Sequence, residues 1–258
     1  MILDINGTAL HVLEPEPRGR GKNPSLLFIH GAGGSGELWE EQAAFFKGEH
    51  PLFRLDLPGH GGSDPRGEDR ISSYARWVQL SSEKLFTKKP FVLVGHSMGG
   101  AIVLELGLDP PEGLQGIVVV GSGAKLPVTR AIFQMLSDNP EAFFETIGRF
   151  AFSPAAPVAM VERFVLVARQ CPPPVIFNDF QACDHFDIRN RLPEIKIPTL
   201  VLCGEEDQLT PVKYSRYLHE GITTSSLTLI PNAGHMVMME QPDPLNRGIE
   251  SFLATLGA

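Results

Sequence analysis

The sequence predicts an α/β domain built on a mostly parallel central sheet with helices on both faces, and three observations carry that prediction. Short, unbroken apolar runs recur, as in Leu26-Leu27-Phe28-Ile29 and Phe91-Val92-Leu93-Val94. Such runs mark strands buried on both faces of a parallel sheet. Segments of helical periodicity separate them at the spacing of strand–helix–strand crossovers. At 258 residues, 43% hydrophobic and 20% charged, the chain can bury one large core.

The elements follow in order. Ile2 to Val12 alternates around Asn6-Gly7, a strong hairpin signal. Asn6-Gly7-Thr8 also fits a glycosylation sequon, and the hairpin turn is the simpler reading. Glu14 to Pro24 is polar and rich in Pro and Gly, hence a surface loop. Leu26 to Ile29 is a central strand, Leu38 to Phe46 a helix, and Leu52 to Leu55 a further strand. Ile71 to Phe86 reads as an amphipathic helix, Phe91 to Val94 as the middle strand, and Ala101 to Leu106 as a buried helix. Leu114 to Val120, rich in β-branched residues, is the next strand.

The rhythm breaks after Gly121. From Pro127 to Leu192 the chain reads as short helices punctuated by Pro140, Pro154, Pro157 and Pro172-Pro173-Pro174. Nine of the 16 phenylalanines fall there, too many for a linker. Strand and helix then alternate again: Thr199 to Cys203, Val212 to His219, Leu227 to Ile230, and a last helix from Pro244 to Leu256. The expected organisation is one α/β core over residues 1–126 and 193–258, with a helical cap inserted at 127–192.

Composition narrows the function. A net charge of −8 disfavours nucleic acid and anionic membranes as partners. No apolar stretch reaches the length of a membrane span. The opening MILDINGTALHVLEPEP lacks the basic start and apolar run of a signal peptide, which places the expected location in the cytoplasm. Cys171, Cys183 and Cys203 are odd in number and lack metal-ligand spacing, so neither a disulfide framework nor a metal site is expected. The expected protein is cofactor-free, acts on a small molecule, and is a monomer or small homo-oligomer.

The chemistry centres on Gly95-His96-Ser97-Met98-Gly99, a Gly-x-Ser-x-Gly motif between a predicted strand and helix. A sharp turn there forces Ser97 into strained backbone angles and requires small neighbours two residues to either side. It also leaves the Met98 N–H at a helix N-terminus, where it can donate to an anion. A serine hydroxyl needs a base, and the base needs a group to hold its tautomer. Asp207 follows the strand ending at Cys203, and His235 follows the strand ending at Ile230. In a parallel sheet the C-terminal strand ends open on one side, so Ser97, Asp207 and His235 are expected to meet there. Glu205 and Glu206 are rival acids, and His96 reads as a packing residue.

With these residues in place the sequence resembles the α/β-hydrolase superfamily over essentially its whole length, as a serine carboxylesterase-like member with a helical cap. His30-Gly31-Ala32 resembles the oxyanion loop, Asp56-Leu57-Pro58-Gly59-His60-Gly61 the post-strand loop, and Gly95 to Gly99 the nucleophile elbow. Gly234-His235 followed by Glu240-Gln241-Pro242 resembles the histidine loop. The resemblance implies an oxyanion hole from the Ala32 and Met98 N–H groups. It also implies nucleophile, base and acid roles for Ser97, His235 and Asp207. A carboxylesterase is the expected activity, on small to medium, largely apolar esters.

Carbon–carbon bond hydrolase, lactonase and thioesterase activities use the same triad. Met236 stands where the carbon–carbon hydrolases carry tryptophan, and His96 where they carry asparagine, which favours the esterase. Two rivals differ in class. Gly31-Ala32-Gly33-Gly34-Ser35-Gly36, with Asp56 about 20 residues beyond, also fits a dinucleotide fingerprint and would make an NAD-binding oxidoreductase. A non-catalytic ligand-binding protein would keep the fold and lose turnover.

Overall fold

Asn6 and Gly7 both take positive φ, 54° and 86°, the pair of left-handed conformations that a two-residue type I′ hairpin needs. The turn folds strand β1 (Ile2–Ile5) back on β2 (Thr8–Leu13), with Ile5 opposite Thr8. The computed structural model describes residues 1–14, 24–87 and 89–257, so most of the predicted loop from Glu14 to Pro24 lies outside the described residues.

The remaining strands are β3 (Ser25–Ile29), β4 (Leu52–Leu55), β5 (Phe91–His96), β6 (Leu114–Val120), β7 (Thr199–Gly204) and β8 (Ser225–Ile230). The sheet runs β1-β2-β4-β3-β5-β6-β7-β8. The β1–β2 hairpin and the β2–β4 pair are antiparallel; from β4 to β8 every neighbouring pair is parallel. This is the fold class the apolar runs predict. Their lack of alternation has a direct cause, since β3 and β5 are buried along their whole length.

On β5, Phe91 and Leu93 face one apolar cluster while Val92 and Val94 face another. Helices α2 (Ile71–Phe86) and α3 (Met98–Leu108) cover the first face through residues such as Val78 and Ile102. Helices α1 (Glu40–Phe45) and α10 (Pro242–Leu256) cover the second through Ala43, Leu245 and Ile249. Each fully buried aliphatic side chain contributes about 1.5–3 kcal/mol, so the two faces hold the strand ends rigidly beneath the site.

Between β6 and β7 lie α4 (Arg130–Asp138), α5 (Pro140–Phe150), α6 (Val158–Ala168) and α7 (Pro173–His185). Most of the prolines that punctuate this segment stand at helix starts. Pro140 and Pro173 occupy first-turn positions and Pro157 precedes α6, where a missing N–H costs nothing. These helices share a small core of Leu136, Phe143, Phe144, Cys171, Val175 and Ile176. Phe152 and Phe164 instead join the cluster beneath the sheet, and Phe186 joins the opposite one.

Two boundaries differ from the sequence reading. Helix α3 begins at Met98, three residues before Ala101, because tertiary packing overrides the poor helix propensity of Gly99-Gly100. The predicted helix at 38–46 opens as a 3₁₀ turn over Gly36–Trp39. After β8 the chain forms the four-residue helix α9 (Val237–Glu240) and then α10, with α8 (Val212–Gly221) preceding β8. Among the described residues no helix is long and apolar enough to cross a membrane.

Candidate active site

Ser97 sits between β5 and α3 at φ 53° and ψ −115°, a conformation L-residues rarely adopt. Its N–H donates to the Val120 carbonyl (2.9 Å), and its own carbonyl accepts from Ser122 Oγ (2.8 Å). The flanking glycines are sterically required. A Cβ on Gly95 would overlap the Gly99 carbonyl, and one on Gly99 would overlap the carbonyls of Ile29 and His30. Met98 opens α3, so its N–H has no acceptor within the helix and lies at the positive end of the helix dipole.

The loop after β3 lies against this turn. A Cβ on Gly31 would stand 3.0 Å from Ser97 Cβ, and both Gly31 and Ala32 line the cavity that Ser97 lines. His30 shapes the loop. Its Nε2 accepts the Leu57 N–H (3.1 Å), so the ring proton is on Nδ1, which donates to the Gly31 carbonyl (2.8 Å). Burial, with His60 nearby, lowers the His30 pKa to about 4 and keeps the ring neutral. Asp56 in the next loop accepts from the Gly36 and Gly62 N–H groups (2.7 and 3.0 Å) and contacts His11 Nδ1 (2.8 Å). It is thus occupied in holding backbone where a dinucleotide site would need it on a ribose.

Asp207 and His235 meet as the sequence predicts: His235 Nδ1 lies 2.9 Å from Asp207 Oδ2. Both are buried. Asp207 Oδ1 accepts the N–H groups of Leu209 (2.9 Å) and Thr210 (2.8 Å), and Oδ2 accepts Thr210 Oγ1–H (2.7 Å). Burial pushes the carboxyl pKa up, but His235 and these donors outweigh it and hold it below the ordinary value. The rivals Glu205 and Glu206 point to solvent. Gly121, at φ 53°, makes room for the pair, since a Cβ there would stand 3.3 Å from both Asp207 Oδ2 and His235 Nδ1.

His235 and Ser97 line one cavity of about 310 Å³. Its walls are mainly apolar, with Ile132, Ile147, Phe150, Phe164 and Phe180 supplied by α4 to α7. A few polar groups, among them Thr129, Thr146 and Gln208, interrupt them. That size and lining are those of a small-molecule site. A second cavity of about 490 Å³, beyond Leu38, is lined by Glu37, Glu40, Glu41 and Arg54 and by none of the predicted site residues. Among the described residues no three His, Cys, Asp or Glu side chains are grouped to hold a metal ion.

Three features escape sequence reasoning. Thr210 Oγ1 bridges the pair, 3.2 Å from His235 Nδ1; Asp-x-x-Thr spacing, a local turn signature, was its only trace. His96 does more than pack, because its Nε2 donates to the His235 carbonyl (3.0 Å). Burial, then the neighbouring His235, lowers its pKa to about 3. Glu240 accepts the N–H groups of Gly234 and Ser153 (both 2.8 Å) and so ties the histidine loop to the inserted segment.

Comparison with known proteins agrees with this fold. The pattern of the family described as "Alpha/beta hydrolase family" matches residues 26–247. A solved structure of a thermophilic esterase is 32% identical, superposes with a TM-score of 0.87, and covers 100% of this chain and 98% of its own. The monoacylglycerol lipase of Bos taurus is 26% identical over 265 residues, covering 93% of this chain and 78% of that protein. The 3-oxoadipate enol-lactonase 2 of Acinetobacter baylyi is 26% identical over 251 residues, covering 91% and 90%.

Proposed function

From the premise that this chain belongs to the alpha/beta hydrolase family, we propose that it hydrolyses carboxylic esters of small to medium, largely apolar substrates through an acyl-enzyme on Ser97. One observation carries the proposal above the others: the His235–Asp207 contact of 2.9 Å lies beside the same apolar cavity as Ser97.

In this reading Ser97 Oγ attacks the ester carbonyl and passes its proton to His235 Nε2, the ring nitrogen that Asp207 leaves open. Asp207 remains ionised, fixes the tautomer and stabilises the imidazolium that forms. The Ala32 and Met98 N–H groups donate to the tetrahedral oxyanion, where fixed donors do most for the rate. His235 then protonates the departing alkoxide. A water, deprotonated by the same ring, attacks the acyl carbonyl and releases the acid. No cofactor enters any step.

Residues 127–192 act as a cap over the serine, with Ile147, Phe150 and Phe180 forming the wall against which an acyl chain packs. The named activities of the relatives, an esterase, a monoacylglycerol lipase and an enol-lactonase, all open an oxoester bond and support the ester assignment. A lactone is an internal ester, so lactones of fitting size are a second substrate class for the same residues. The test is hydrolysis of p-nitrophenyl butyrate, present in the native protein and reduced to background in a folded Ser97→Ala variant. Equal turnover by the two would refute the assignment.

A further inference from the structure

Helix α7 carries a buried carboxylate, Asp179, that the steps above do not use. Three donors from three other parts of the chain converge on it. The Gly33 N–H donates to Oδ2 (2.8 Å), His60 Nε2 lies 2.8 Å from the same oxygen, and Tyr74 OH donates to Oδ1 (2.6 Å). Gly33 immediately follows Ala32 in the loop after β3, His60 belongs to the loop after β4, and Tyr74 lies on α2.

The His60 ring faces an acceptor at each nitrogen, since Nδ1 lies 3.0 Å from the Pro58 carbonyl. Both nitrogens therefore carry protons, and His60 and Asp179 form an ion pair with neither side chain exposed. Packing repeats the message of the hydrogen bonds. Gly33 has φ 64°, and a Cβ on it would stand 3.2 Å from Ile176 Cγ1 on α7. The loop thus rests on the inserted helix one residue away from Ala32.

We propose that Asp179 is a positioning residue for the oxyanion hole: by holding the Gly33 N–H from α7, it fixes the Ala32–Gly33 peptide and, through the shared Ala32 Cα, the direction in which the preceding peptide presents the Ala32 N–H to the substrate. The inference rests on the esterase reading. It adds that the inserted helices set the geometry of the catalytic loop as well as walling the pocket. A charged acceptor fixes an N–H more firmly than a neutral one, and an oxyanion donor acts only when aimed at the developing charge.

The test compares native protein, Asp179→Asn and the double variant His60→Gln/Asp179→Asn. The double variant removes both charges together, a change buried ion pairs tolerate best, so it supplies the readout if Asp179→Asn does not fold. Turnover of p-nitrophenyl butyrate is measured per titrated active site, beside inhibition by an alkyl trifluoromethyl ketone, which Ser97 converts to a tetrahedral oxyanion. The expected result is a fall in kcat of about tenfold, a KM within twofold, and a matching loss of affinity for the ketone. A folded variant with native kcat and ketone affinity, or a loss confined to the number of active sites, would overturn the proposal. The esterase reading is judged separately, by whether the native protein turns over the ester and Ser97→Ala does not.

Discussion

His96 Nε2 donates to the backbone carbonyl of His235 across 3.0 Å, joining two residues 139 positions apart, while their rings lie with centroids 4.5 Å apart. The residue before the serine thus holds the loop that carries the proposed base. His96→Leu should remove that donor, leave a buried carbonyl unpaired, and destabilise the fold by about 1–3 kcal/mol. With the loop loosened, kcat should fall roughly tenfold at nearly constant KM. Chemical denaturation and steady-state kinetics on the variant check both, and a native kcat would remove His96 from the positioning set.

Asp207→Asn should abolish most of the activity. Glu205 and Glu206 are exposed, whereas it is the buried Asp207 carboxylate that meets the ring at 2.9 Å, so neither should take over as orienting group. An amide can hold His235 in the wrong tautomer, and the loss should be on the order of 10³–10⁴ in kcat. A decrease below about tenfold would mean that another group orients the base.

Much of this was legible before any coordinates. Asn6-Gly7 announced its hairpin, the apolar runs announced buried strands, and Gly95, Ser97 and Gly99 announced a turn that only small flanking residues permit. Asp207 and His235 could be placed because parallel strands deliver their following loops to one edge. What stayed hidden depends on contacts between distant segments. Asp179 is an ordinary acid in sequence and becomes a junction only when Gly33, 146 residues away, reaches it. Gly121 clears space for a pair brought in by two later strands. Helix α9 spans four residues, too few to show a period. The nine phenylalanines of 127–192 look alike in sequence, yet Phe150, Phe164 and Phe180 line the cavity while Phe143 and Phe144 pack among the helices themselves.

Stability should fall on both sides of neutral pH. His30 and His96 protonate in the unfolded chain near 6.5 but in the folded one only near 4 and near 3, because burial opposes the charge. Between about pH 6.5 and 4 the unfolded state therefore binds more protons, and each histidine removes up to about 1.4 kcal/mol per pH unit as the pH drops. Asp207 adds to the loss at still lower pH, as its lowered carboxyl protonates. His60 acts in the opposite sense. Burial opposes its charge, but the Asp179 carboxylate outweighs burial and holds its pKa well above 6.5. Its contribution is complete below 6.5 and is lost as the pH rises through the raised value. Urea unfolding at about pH 5, 7 and 9 checks the dome, and equal stability at pH 5 and 7 would contradict the neutral, buried histidines.

Acyl preference should follow the cavity. Each methylene buried against Ile147 and its neighbours contributes about 0.8 kcal/mol, or about fourfold in kcat/KM. Specificity should rise from p-nitrophenyl acetate to butyrate or hexanoate and fall once the chain outgrows about 310 Å³. Ile147→Phe should move the optimum to a shorter chain. A monotonic decline from acetate would contradict an apolar acyl pocket, and strong activity on emulsified long-chain fat would contradict a closed cap.

The central claim is that Ser97 is transiently acylated, and rapid-quench mass spectrometry during turnover of p-nitrophenyl butyrate tests it most directly. The account predicts a butyryl group on the peptide containing Ser97, formed in the first turnover, lost once substrate is exhausted, and missing in His235→Ala. Turnover with an unmodified Ser97, or an acyl group carried by another residue, would contradict it.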